Sequence, residues 1–287
     1  MDIDPDCYTF KRLEVEAGIF DTSVDATYVI TLEGNGRYER IHTQLTKYHP
    51  TRLVYILTNR GYSRCNKNLE KNIPRYDLTD AFITVFKHAK QQDFSNILVL
   101  EDDFIFSDSI LEPKTITEVS NFISARTNTD FIYLLGCLPF LQLPYDENNT
   151  IPFLSAGMHA VVYSRASREK TLHYYTTETI DDWDMYHNMT LQRYTYYKPL
   201  VYQTFPVTEN RKQWAAPDFA IFIAGLFISL LRLDVNVEPG YTILYNFSKA
   251  LFYILLCIPF LAAYFIFRPR FSRRWLMLMF FLPVVPP

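Results

Sequence analysis

Apolar runs alternate with segments of helical spacing along the first two thirds of the chain. Runs rich in β-branched and apolar residues predict five strands, at 28–32, 53–58, 97–100, 131–135 and 160–163. The segments between them predict three helices, at 37–47, at 77–90 with Asp77 as its cap, and at 165–174. This alternation predicts an α/β fold with a mostly parallel sheet flanked by helices. Residues 1–24 are expected to be an extended or helical lead-in, and residues 138–152 a loop.

The C-terminal part of the chain has a different pattern, because acidic residues nearly vanish after Asp218. Two apolar stretches stand out, at 219–231 and 250–267. A membrane span needs ~20 mainly apolar residues, with ~17 as the lower limit. The second stretch meets this limit, whereas the first meets it only if residues 215–218 are included. We therefore expect a globular domain at 1–214 and a membrane-associated region at 215–287.

The flanking charges indicate how this region is oriented. Four arginines follow the second stretch between 268 and 274, and such a cluster usually stays in the cytosol. A hairpin of two spans then places residues 1–214 in the cytosol, whereas a single span places them outside. We expect the hairpin, with residues 275–285 lying at the membrane interface. The alternative is that both stretches are buried core helices of a soluble protein.

Composition and cysteine spacing exclude some classes of function. The net charge of −3 provides no basic field for phosphates, so nucleic acid is not an expected partner. The four cysteines are scattered without a CxxC spacing, so neither a zinc site nor a disulfide framework is expected. The N-terminus is acidic and lacks an apolar core, so we do not expect a cleaved signal peptide.

An acidic triplet, Glu101-Asp102-Asp103, follows the buried run 97–100 directly. Open α/β sheets bind their ligands at the carboxyl edge, where such a triplet would lie. Carboxylate oxygens suit Mg²⁺ or Mn²⁺, which proteins commonly hold with one or two carboxylates and substrate phosphates. On an extended backbone Glu101 and Asp103 point to one side and Asp102 to the other. The triplet predicts a metal–diphosphate site, and the alternative is a solvated strand end.

Five strings of residues, in order and at matching spacing, resemble the collagen and lipooligosaccharide galactosyltransferase family. They are 28–32 with Arg37 and Arg40, 97–103, 157–165, 180–183 and 199–203. The resemblance covers roughly residues 26–214 and implies the two-lobed α/β fold called GT-A. The chain departs from the family at 76–81, where YDLTDA replaces the family's G-C-x-x-S-H string, so galactose is not implied as the donor sugar.

The resemblance also implies roles for individual residues. Asp103 would be the direct metal ligand together with Glu101, while Asp102 would contact metal-bound water or ribose. By analogy, the residues at the end of the first strand and in the loop after it would contact the donor. The base or ribose would be bound by Thr31, Leu32 and Glu33, and Arg37 could reach the phosphates.

A second acidic cluster surrounds Trp183 and offers a general base. A transferase that inverts the anomeric centre needs a group that takes the proton of the acceptor hydroxyl. Asp182 is the first candidate by its position in the string, and Asp181 is the second. The alternative is an acidic helix N-terminus, where carboxylates interact favourably with the helix dipole.

Together these features predict a membrane-associated, metal-dependent glycosyltransferase with its catalytic domain in the cytosol. It would use Mn²⁺ or Mg²⁺ and move a sugar from a nucleotide diphosphate-sugar, expected to be a UDP-sugar, to a hydroxyl on a glycan, protein or lipid. One alternative is a degenerate transferase that serves as a membrane scaffold. A phosphoryl-transfer enzyme is the other, but the sequence contains no GxxxxGK[ST] phosphate loop.

Overall fold

A computed structural model describes residues 3–205 and 219–267, which form a mixed sheet flanked by helices. The strands are β1 (Tyr8–Glu14), β2 (Ala26–Leu32), β3 (Leu53–Asn59), β4 (Asn96–Glu101), β5 (Phe104–Phe106), β6 (Phe131–Pro144), β7 (Asn149–Ser164), β8 (Gln192–Tyr196) and β9 (Val201–Gln203). The helices are α1 (Tyr38–Tyr48), α2 (Pro74–Gln91), α3 (Pro113–Ser124), α4 (Arg165–Thr177), α5 (Trp183–Thr190), α6 (Phe219–Leu230) and α7 (Gly240–Phe267).

Seven of the strands form the central sheet, in the order β1-β3-β2-β4-β7-β6-β8. Neighbours β3 and β2, β2 and β4, and β6 and β8 are parallel, while β1 and β7 run against the strands beside them. Five strands of the sheet therefore share one direction. This confirms the predicted α/β class with a mostly parallel sheet, and the arrangement is compatible with a GT-A-like fold.

The sheet separates two hydrophobic cores, because successive side chains of a strand point to opposite faces. In β2, Tyr28 lies in one core and the adjacent Val29 in the other. The first core contains Phe86 of α2, and the second contains Ile41 of α1. Burial on both faces explains why the central strands have continuous apolar sequences.

Two local predictions were wrong, and each has a structural reason. The lead-in 1–24 is extended, as one of its two alternatives expected, and it contains β1, an edge strand whose mostly exposed side chains leave no apolar period. The predicted loop 138–152 contains most of the hairpin between β6 and β7, whose register shifts around Pro139 accommodate a proline. Helix α2 begins at Pro74, so Asp77 lies in its first turn instead of capping it. The Asp77 side chain forms a buried ion pair with Lys67.

A disulfide joins Cys7, just before β1, to Cys65 in the segment after β3. The expectation of no disulfide was wrong, because the two cysteines are 58 residues apart and only the pairing of β1 with β3 brings them together. Persistent disulfides are typical of oxidising compartments. The cytosolic placement of residues 1–214 therefore stays a prediction that this bond does not favour.

Within the described residues, one helix is long and apolar enough to cross a membrane. It is α7, over Gly240–Ile266. Helix α6 has 12 described residues, fewer than the ~17 that a span needs. The predicted first span includes residues 215–218, and these lie outside the described residues. So do the arginine cluster at 268–274 and the predicted interfacial segment 275–285.

Candidate active site at the carboxyl edge of the sheet

The acidic triplet lies where β4 ends and the chain turns into β5. Glu101 is the last residue of β4, and Asp102 and Asp103 form the turn. Both aspartates are buried, at 9% and 5% exposure. The two carboxylates point to different neighbours, since Asp102 faces β2 and the loop before α1 while Asp103 faces β9.

Asp102 accepts hydrogen bonds from three side chains that follow or end β2. Thr31 Oγ1 donates to Oδ2 at 3.0 Å, and Asn35 Nδ2 donates to the same oxygen. Arg37 forms an ion pair with Oδ1. The structure thus brings together three predicted donor-binding residues, Thr31, Arg37 and Asp102. Because both of its oxygens are occupied, Asp102 fixes the loop before α1 against the turn between β4 and β5.

Asp103 has an incomplete set of partners. Its Oδ2 accepts a hydrogen bond from Gln203 Nε2 at 3.1 Å, whereas its buried Oδ1 has no partner among the described residues. The buried Oε1 of Gln203 also has no hydrogen-bond partner among the described residues. Burial raises the pKa of Asp103 to about 6, and the charge of Asp102 adds to the effect while Arg37 opposes it. Buried polar atoms are normally hydrogen-bonded, so two open acceptors on adjacent side chains mark a place for a ligand or ion.

A fourth carboxylate, Asp184 of α5, joins the triplet. It accepts hydrogen bonds from the backbone N–H groups of Gly157 at 2.7 Å and Met158 at 3.2 Å. Burial raises the pKa of Asp184 to about 7, with the charge of Asp182 adding to it. The pKa of Glu101 lies well above its usual range because of burial first, and then because of the charges of Asp103 and Asp184. The two acidic clusters of the sequence therefore meet, through a residue that was not predicted as part of the site.

Gly157 makes room for this arrangement. Its φ of +60° lies in the left-handed region, and a Cβ there would be 2.9 Å from Gln203 Oε1. A side chain at this position would push on the glutamine that bonds Asp103. Gln203 is therefore a site residue that sequence reasoning missed, and its only sequence signal was its place in the last of the five family-like strings.

Arg40 of α1 holds the same turn from its backbone side. Its guanidinium donates to the carbonyl oxygen of Asp102 at 2.8 Å and to Thr204 Oγ1 at 2.9 Å. The backbone N–H of Thr204 donates in turn to the carbonyl oxygen of Asp103 at 3.1 Å. Burial lowers the pKa of Arg40, although the charge of Asp103 opposes this. The guanidinium is thus tied to the backbone, and it stabilises the turn.

Two other predicted donor-binding residues, Leu32 and Glu33, lie at the protein surface. Leu32 is 38% exposed at the end of β2, and the exposed Glu33 pairs with Arg60 and Arg64, at 3.7 Å each. Their role in donor binding stays a prediction.

The two predicted bases are also engaged. Asp182 caps the N-terminus of α5 by accepting a hydrogen bond from the Met185 N–H at 2.7 Å. Asp181 accepts a hydrogen bond from the hydroxyl of Tyr76. Capping is the structural alternative considered for this cluster, and the catalytic role of both residues stays a prediction.

The oxygen-rich donor set is chemically suited to Mg²⁺ or Mn²⁺. Among the described residues, however, the only group of three or more potential ligands whose ligand atoms all lie within 4.8 Å of one another is Asp4, Cys7 and Cys65, and its cysteines are bonded to each other. The acid site does not form a three-carboxylate cage by itself. It fits an ion that takes one or two carboxylates and completes its shell with diphosphate oxygens and water.

No known family profile matches the chain, and neither does any curated protein. Among solved structures, the chain is similar to A197 from STIV, with a TM-score of 0.37 and 10% identity over 64% of this chain and 86% of that one. It is also similar to a glycosyltransferase involved in the glycosylation of the major capsid of PBCV-1. That likeness has a TM-score of 0.38 and 8% identity, over 65% of this chain and 96% of that one.

Proposed function

We propose that the chain is a metal-dependent glycosyltransferase that moves a sugar from a nucleotide diphosphate-sugar to a hydroxyl acceptor. The observation that carries the proposal is the buried acid site, where Asp103 offers an unpartnered carboxylate oxygen at the carboxyl edge of the sheet. Ligands of open α/β sheets bind at this edge. The donor is expected to be a UDP-sugar, and the acceptor hydroxyl belongs to a glycan, a protein or a lipid.

Asp103 and Glu101 are the proposed metal ligands. Their pKa values are raised by burial and by neighbouring acids, and the charge of Arg37 only partly opposes this. A bound Mg²⁺ or Mn²⁺ would add positive charge there, neutralise the donor diphosphate and stabilise the leaving nucleotide. Gln203 holds Asp103 in place and adds an open amide oxygen beside it.

The residues after β2 are the proposed donor-binding elements. Thr31 and Arg37 are held on Asp102, so the loop before α1 is fixed against the metal-binding turn. Such fixed positioning orients a donor without a further ordering cost when it binds. Leu32 and Glu33 lie exposed at the beginning of this loop, where a base or ribose could contact them.

Asp184 is the proposed base, ahead of Asp182 and Asp181. Its backbone bonds fix the carboxylate in a position where its charge acts on Glu101, whereas the Asp182 carboxylate is used as a helix cap. A base must lie next to the reacting centre to take the acceptor proton. Asp182 would then position α5 and, through its charge, keep the pKa of Asp184 raised.

Membrane association belongs to the same proposal. The apolar stretch of α7 has a mean hydropathy of 2.0, and none of it is buried inside the protein. A core helix of a soluble protein would be buried, so the exposed helix favours a membrane span. We propose that the globular domain is anchored by α7.

The test is a donor screen on the full chain in detergent. Nucleotide release from a panel of nucleotide-sugars is measured with Mn²⁺, with Mg²⁺ and with EDTA, in wild type, Asp103→Asn and Asp108→Asn. Asp108 is a matched control, because its side chain is 77% exposed and pairs with Lys47 outside the site. Asp103→Asn should lower release by about 100-fold or more, the usual loss when one group that stabilises transition-state charge is removed.

The Asp108→Asn variant should keep the wild-type rate, and EDTA should stop release in both active proteins. Release that continues in Asp103→Asn, or in EDTA, would contradict the proposed metal site. If wild type releases no nucleotide from any donor, the degenerate membrane scaffold becomes the better interpretation.

A further inference from the structure

The two C-terminal helices contact each other next to the turn that joins them. The rings of Phe227 in α6 and Phe247 in α7 are 6.3 Å apart. Closer to the turn, a Cβ on Gly240 would lie 2.6 Å from the carbonyl oxygen of Leu231. Both contacts lie within about two helical turns of the connection, so the C-terminal part of α6 lies beside the first two turns of α7.

One side of this pair is attached to the globular domain. Ile228 of α6 is 2% exposed, and Tyr241 and Tyr245 of α7 are fully buried in the first core. Phe140 of β6 contacts Phe227, with ring centroids 5.9 Å apart. The helix pair is therefore docked directly on the sheet.

The other side of the pair exposes large apolar residues. Leu226 and Leu230 of α6 are 49% and 71% exposed, and Ile243 and Phe247 of α7 are 49% and 46% exposed. We call these four side chains the collar. The collar is continuous along the chain with the exposed apolar part of α7, and residues 219–231 contain no charged side chain. An exposed apolar surface of this kind marks an interaction site.

The positions of the charges fix the level of the collar relative to a bilayer. Lys249 is the last charged residue before the charge-free stretch 250–267, which at 1.5 Å per residue is about 27 Å long and matches a hydrocarbon core of ~30 Å. Lys249 donates to the carbonyl oxygen of Tyr197 at 2.8 Å, so the domain meets the helix at this boundary. The collar residues of α7 lie within about 9 Å of Lys249 along the helix axis, in the layer of the lipid head groups.

The acid site is tied to α7 just above the level of the collar. The Gln203 N–H donates to the hydroxyl of Tyr241 at 3.1 Å, and the Gln203 side chain donates to Asp103 at 3.1 Å. Tyr241 lies about 12 Å above Lys249 along α7. The proposed metal-binding turn is thus connected by two hydrogen bonds to the part of the helix that leaves the membrane.

We infer that the collar is seated in the head-group layer of the lipid bilayer, so that the acid site is held above the lipid head groups. The inference rests on the proposed membrane span of α7 and is independent of the transfer reaction. The occupant of the collar is lipid, because its surface continues that of the span and its depth matches the head-group layer.

The test measures the depth of nitroxide labels in the full chain, reconstituted in vesicles of phosphatidylcholine and phosphatidylglycerol. Labels are placed at Leu226→Cys, Leu230→Cys and Phe247→Cys in a Cys257→Ala background. The native Cys257, an exposed free cysteine of α7, serves as the reference for the span. Met189→Cys on α5 is the matched control, since Met189 is 78% exposed and apolar but lies on the globular domain.

Collision with oxygen reports lipid, and collision with a water-soluble nickel chelate reports water. We expect the Cys257 label to favour oxygen and the Met189→Cys label to favour nickel, with the three collar labels at an oxygen-to-nickel ratio between the two. Collar labels that match the Met189→Cys label while Cys257 favours oxygen would overturn the inference and leave the span intact. A Cys257 label that favours nickel would refute the span itself, and dipolar broadening at the collar would show that a second copy covers it instead of lipid.

Discussion

Removal of the Cys7–Cys65 disulfide should lower the stability of the fold by an amount that follows from the length of the loop it closes. The bond closes a loop of 58 residues, and loop-closure entropy then predicts about 14 cal/mol/K, or roughly 4 kcal/mol at room temperature. For a domain of this size, 1 kcal/mol shifts Tm by about 2–4 °C, so we expect a decrease of about 8–16 °C. The bond joins β1 to the segment that contains Lys67, so unfolding should begin at this edge of the sheet.

The assay is thermal unfolding of the full chain in detergent, with and without a phosphine reductant. Wild type should lose stability on reduction and then match the Cys7→Ala, Cys65→Ala double variant, which the reductant should leave unchanged. Cys257→Ala controls for cysteine content, because Cys257 is exposed and unbonded. An unchanged Tm of reduced wild type would refute the reasoning. Protein extracted from cells with its thiols blocked should show the bond, which would argue against the predicted cytosolic placement.

Two further predictions separate structural from chemical roles of charged residues. Asp182→Ala should cost about 1 kcal/mol through loss of the α5 cap and keep nucleotide-sugar turnover, with a pH profile shifted to lower pH because the charge of Asp182 no longer raises the pKa of Asp184. Asp184→Asn should abolish turnover with a smaller change in Tm, and the reverse pattern would restore Asp182 as the base. Lys67→Met should destabilise the fold by about 3–5 kcal/mol, because it leaves the buried Asp77 without its cation. A Lys67→Met, Asp77→Leu double variant should recover much of that loss, as measured by chemical unfolding. A double variant no more stable than the single one would contradict the buried-charge explanation.

The order of apolar runs was enough to predict the central strands. The runs at 28–32, 97–100 and 160–163 lie inside β2, β4 and β7, because strands buried on both faces need continuous apolar residues. The same information could not predict β1 or most of the hairpin between β6 and β7. These are held by backbone pairing, which does not depend on an apolar pattern.

By itself, the sequence determined the fold class, the position of the acidic triplet at a strand end and the apolar character of α7. These features depend on residues that are adjacent along the chain, and local spacing records them. Tertiary structure alone decided that the charge of Asp184 acts on Glu101, that Gln203 holds Asp103 and that Cys7 bonds Cys65. Such contacts join residues that are distant along the chain, and they form only when the sheet brings its strands together.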